Sequence, residues 1–195
     1  MGRDFTSYLG HSLQENEIFE FMNVLNTGEL KATNEFIQQF LPYNPEDKDL
    51  TWKVDTFRLG GTISLDGPCG LGFTFSEHVC MVRHYTRWLT FLLNDLEFDI
   101  RTPLRNMIRE LAWCLGSRFA IYAPDSGARE SGIMDFMWED ENEDIECMRN
   151  WLLQNCGPPA GSIQAIYKEF EDHIQTDGYY IDVFDDDIHS AIGEL

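Results

Sequence analysis

The sequence predicts an α+β domain, a mostly antiparallel sheet packed with several amphipathic helices. Three observations carry this reading. Apolar residues recur at helical spacing before about residue 50 and again after residue 100, whereas the period shortens to two between about residues 51 and 86. Connections within that middle stretch are brief, which favours antiparallel neighbours because a parallel crossover needs a dozen residues or more. Neither an internal repeat nor a long linker interrupts the 195 residues, so residues 1–195 are read as one domain.

The elements follow in order. Ser12-Leu13-Gln14-Glu15 reads as a capping box, and Ile18, Phe21, Met22 and Leu25 then share one helical face until Gly28. A short helix is expected over about Asn34 to Leu41, with Pro42 stopping it. Trp52 and Val54, Ile63 and Leu65, and Phe73 and Phe75 alternate with polar residues, and Val79 to Tyr85 is rich in β-branched and aromatic residues. Gly60-Gly61, Asp66-Gly67-Pro68 and Gly70 punctuate these runs as turns. Thr102 as cap, Pro103 and Gly116 bracket a helix whose stripe is Leu104, Met107, Ile108, Leu111 and Leu115. Strands are expected near 118–122 and 179–184. Between them lie a helix from about Asp144 to Asn155 and another after Ser162, its stripe being Ile163, Ile166, Tyr167, Phe170 and Ile174.

Thirty-four acids against 14 bases give a formal charge of −20, yet 43% of residues are hydrophobic, which separates this chain from disordered acidic tails. A chain of this length hides roughly 70% of its unfolded surface, enough for a core without staples. The charge repels nucleic acid and anionic membranes, so neither is expected as a partner. With no apolar run of transmembrane length and no apolar leader after Met1, the reading is a soluble, cytoplasmic protein. Five widely spaced cysteines without a C-x₂-C pair read as free thiols in a reducing compartment.

Catalytic and cofactor signals are sparse. There is no G-x-S-x-G, no P-loop and no G-x-G-x-x-G, so no cofactor and no catalytic residue is expected. His78, Cys80 and His84 would share one face of a strand, and zinc takes such ligands, but no second ligand pair accompanies them. A small enzyme using Cys80 and His84 with a remote acid is the alternative class. Arg101, Arg105 and Arg109 form a helical row that reads as solvated and offset by neighbouring carboxylates.

The charge distribution is the informative feature. Residues 1–123 carry 16 acids and 11 bases; residues 124–195 carry 18 acids and three bases, Arg129, Arg149 and Lys168. Trp138 is followed by Glu139, Asp140, Glu141, Glu143, Asp144 and Glu146, and a second cluster is Asp182, Asp185, Asp186 and Asp187. Crowding like charges costs stability, so a compensating role as a partner-binding face is expected, with Trp138 as an aromatic anchor. An acidic adaptor or nucleic-acid mimic would present the same surface.

The opening Phe5-Thr6-Ser7-Tyr8-Leu9-Gly10-His11-Ser12-Leu13, running into an amphipathic helix, resembles the start of several bacterial immunity proteins of polymorphic-toxin, contact-dependent and type VI secretion systems. The size, acidity and lack of catalytic motifs are similar as well. That resemblance implies an inhibitor of a cognate secreted toxin, one that blocks the toxin's active site or substrate-binding surface. A toxin with a basic surface is the expected partner.

Overall fold

The computed structural model describes residues 5–41, 49–55, 62–83, 100–124, 132–133, 136, 143–165 and 178–184. Within them the elements run β1 (Phe5–Gly10), α1 (Glu15–Thr27), α2 (Lys31–Phe40), β2 (Lys53–Val54), β3 (Ile63–Asp66), β4 (Gly72–Phe75), β5 (Val79–Arg83), α3 (Arg101–Leu115), β6 (Phe119–Pro124), α4 (Ile145–Cys156) and β7 (Tyr180–Val183). The strands form one sheet in the order β2-β3-β4-β5-β1-β6-β7, every neighbouring pair antiparallel. The α+β architecture is therefore as the sequence predicts. The middle run makes a meander, β2 to β5.

The N-terminal segment is the departure. Phe5–Gly10 is a strand, and it lies between β5 and β6 near the middle of the sheet. Thr6, Ser7, Tyr8 and Leu9 are all buried, because helices cover both faces of the sheet. A strand enclosed on both sides shows no apolar–polar alternation, so its period is silent in the sequence.

Side chains alternate between two cores. Leu9, Leu65, Phe73, Phe75, Cys80, Val82, Ala120 and Tyr122 point to the face covered by α1, α2 and α3. There Phe21 of α1 meets Phe73 and Phe75 edge-on at 5.7 and 6.1 Å, and Trp52 stacks on Phe73 at 4.8 Å. Tyr8, Val79, Met81, Phe119 and Ile121 point to the opposite face, where α4 lays down Ile145, Met148 and Leu152. Each fully buried Leu, Phe or Met is worth roughly 1.5–3 kcal/mol. The two cores, and not helix propensity, hold the layers together.

Helix starts are set by long-range contacts as well as by local caps. α1 begins at Glu15, not at a Ser12 box: the Leu13 N–H is taken by His11 Nδ1 (3.2 Å), and Glu17 accepts from the Gln14 N–H (2.7 Å). α2 begins three residues before the expected Asn34 and has no side-chain cap of its own. Instead Glu110 of α3 accepts from the N–H groups of Ala32 (2.9 Å) and Thr33 (2.8 Å) and from the Thr33 hydroxyl (2.8 Å). α3 starts at Arg101, one residue before the expected Thr102 cap, and ends at Gly116, whose φ of 74° suits a residue without Cβ. The stripe from Ile166 onward lies outside the described residues, and Ile163–Ala165 form a single 3₁₀ turn.

Candidate functional site

α4 brings the acid-rich region onto the folded body. Asp144 caps the helix by accepting from the Cys147 N–H at 2.9 Å, which holds its carboxyl below the usual range. Glu146 in the first turn receives Arg118 Nη2 at 3.4 Å and Arg149 Nη1 at 3.2 Å. The helix start is pinned to the sheet, since Ile145 Cγ2 sits 2.7 Å from where a Cβ on Gly10 would lie. Only glycine admits this approach.

The result is a cleft of about 430 Å³ at one end of the sheet. Its walls come from the end of β1 (Gly10, His11, Ser12), the turn before β5 (His78), the end of α3 and the start of β6 (Leu115 to Phe119), and the start of α4 (Asp144 to Glu146). Ser117 braces the floor: its hydroxyl accepts from the Gly10 N–H (3.0 Å) and donates to the Phe119 carbonyl (2.7 Å).

The two histidines of the cleft differ. His11 is buried against Phe75, with Nε2 donating to the Ser76 carbonyl (3.1 Å) while Nδ1 accepts from Leu13. Burial, with the nearby His78 adding to it, lowers the His11 pKa to about 4, so the ring is neutral. Between pH 6.5 and about 4 the unfolded chain takes up this proton and the folded chain does not. Stability therefore falls as pH drops through that window, by up to about 3 kcal/mol from this group. Unfolding midpoints measured from pH 4 to 7.5 should show a shallower acid slope for His11→Asn than for the parent. His78 is more open, its side chain 36% exposed, with Glu77 3.8 Å away.

The predicted acidic face divides. Glu143 and Glu146 are partly exposed and Asp144 is exposed, all at the start of α4. Trp138, Glu139, Asp140, Glu141, Asp185, Asp186 and Asp187 lie outside the described residues. Asp182 is a correction. It is only 3% exposed, and Arg105 Nε reaches its Oδ1 at 3.2 Å. It is a core ion partner, not a surface charge. Arg105 also lies 5.6 Å from the Phe184 ring centre, and Arg109 lies 5.5 Å from that of Trp113. Arg105 is thus engaged with β7 and the residue after it, and Arg109 with Trp113 of its own helix, while Glu110 serves α2.

Of the expected thiol–imidazole pair, the described residues include only Cys80. Cys80 points into the α1–α3 core at 0% exposure, and burial pushes its thiol well above the usual range. His78 faces the cleft, and His84 lies outside the described residues. Ellman's reagent should modify exposed Cys114 and Cys147 in the folded protein and leave Cys80 untouched until denaturant is added. Labelling of Cys80 at the rate of the exposed thiols would contradict this burial. Among the described residues no group of three or more His, Cys, Asp or Glu side chains is placed to hold a metal ion, and no helix is long and apolar enough to cross a membrane.

Sequence patterning missed the cleft, because its walls are turns from four separate elements. Comparison with family models, with curated proteins and with solved structures found no match.

Proposed function

We propose that this protein is a cytoplasmic immunity protein, a stoichiometric inhibitor that binds a cognate secreted bacterial toxin through an acidic face and blocks its active site or substrate-binding surface. The observation that carries the reading is the concentration of 18 acids against three bases in residues 124–195 of an otherwise well-packed domain. Self-repulsion of that size is a standing cost, and a basic partner surface offsets it. Complementary fields also raise encounter rates by roughly 10–10³-fold, which suits an inhibitor that must reach its toxin before the toxin acts. The exposed Asp144, with the partly exposed Glu143 just before it, supports this assignment as charge held at a helix start, while Glu146 beside them is shared by Arg118 and Arg149. Cys80, the thiol on which the enzyme alternative rests, is buried at 0% exposure.

The test is co-expression with the product of the adjacent reading frame. Restored growth, together with a complex that co-elutes in low salt and weakens in high salt, is the expected result. A harmless neighbour and no co-elution would overturn the assignment.

A further inference from the structure

Among the described residues the edge strands of the sheet are β2 and β7, and the two edges are closed differently. An edge strand offers N–H and C=O groups to any further strand, so folded chains shorten, charge or cover it. β2 is only two residues long and carries Lys53. β7 is longer, and Val183 on it is 56% exposed. The Phe184 N–H, just past β7, donates to the Arg118 carbonyl, so Tyr180 and Asp182 also turn their backbone groups toward β6. Tyr179 and Ile181 turn theirs to the outer side. Those outward groups are taken. The Ala160 N–H donates to the Tyr179 carbonyl at 2.8 Å, and the Ile181 N–H donates to the Gly161 carbonyl at 2.9 Å. The Tyr179 hydroxyl adds a third tie, donating to the Gly157 carbonyl at 2.9 Å.

The segment Gly157-Pro158-Pro159-Ala160-Gly161, which leaves the end of α4, suits this place. Gly157 at φ 80° and Gly161 at φ 146° hold conformations that side-chain-bearing residues rarely adopt. A Cβ on Gly161 would also lie 2.9 Å from that of Ala165. Pro158 and Pro159 are exposed and have no N–H, so at both positions the segment offers no donor to a further strand. We infer that residues 157–161 form an autoinhibitory strap, which occupies the outer edge of β7 and keeps it from pairing with the β7 of a second copy. A second copy is the strand excluded, because a strand turned about a two-fold axis runs antiparallel to itself, as every pair in this sheet does. The strap stands or falls independently of the inhibitor reading.

Amide hydrogen exchange and sedimentation of the intact chain test it, in high salt that screens the repulsion between copies of charge −20. The parent is expected to be monomeric, with the Ile181 amide protected although it faces away from β6. Ala160→Pro removes the donor to Tyr179 at an exposed position, and Gly161→Ala strains the end of the strap. In both variants the Ile181 amide should exchange about three- to tenfold faster, the worth of one net hydrogen bond, while the Leu9 amide is unchanged. Both should then dimerise as concentration rises, and adding Val183→Lys should abolish the dimer. An unprotected Ile181 amide in the parent, or a parent that dimerises, would overturn the strap. So would unchanged Ile181 exchange in both variants, a released strap without self-association, or a dimer that survives Val183→Lys.

Discussion

Asp182→Ala is expected to lower the stability of the fold by about 3 kcal/mol, the low end of what removing one partner of a buried ion pair costs. For a chain of this size that is a fall of roughly 6–12 °C in the unfolding midpoint. The cause is the uncompensated Arg105 guanidinium, which is 32% exposed and so keeps part of its hydration. Glu143→Gln, at the partly exposed rim of α4, should stay within about 0.5 kcal/mol of the parent. Thermal unfolding of the two variants side by side checks the account. Equal midpoints would mean that Asp182 is a surface charge after all.

Glu110→Ala is expected to cost about 2–3 kcal/mol, because one carboxylate satisfies two N–H groups and a hydroxyl at a helix start with no cap of its own. Glu110→Gln keeps an acceptor and the packing, and should recover about half of that. Denaturant titration measures the loss. Amide hydrogen exchange at Ala32 and Thr33 locates it, since those two protons should exchange faster in the alanine variant before any other part of α2 does. Unchanged protection there would contradict the cross-helix cap.

How much of this was legible follows from where each interaction lives. The meander showed because Ile63, Leu65, Phe73 and Phe75 alternate with residues of another polarity along their strands, and α3 showed because its buried stripe faces one core while Arg101, Arg105 and Arg109 do not. β1 did not show, because Thr6 and Ser7 are buried although polar. The first part of the segment that suggested immunity proteins, Phe5–Gly10, is thus an inner strand of the sheet, with Thr6 to Gly10 buried in its packing. Ser12 matched a capping pattern that the His11 ring overrides from one residue away. Among the acids, sequence could count charge but not depth. Asp144 and Asp182 look equivalent in a list of carboxylates, yet one caps a helix in solvent and the other closes an ion pair 77 positions from its arginine. The cleft was beyond pattern reading altogether. Gly10, Ser117 and Ile145 come together only through the pairing of β1 with β6 and the docking of α4 on top.

Stoichiometric inhibition is read from a titration. The purified product of the adjacent reading frame would be assayed for its toxic activity against increasing amounts of this protein. A break is expected at a fixed, near-equimolar ratio, with an affinity that weakens as salt screens the acidic face. Full activity at a molar excess of this protein would contradict it, and loss of activity at far below one equivalent would show turnover in place of inhibition.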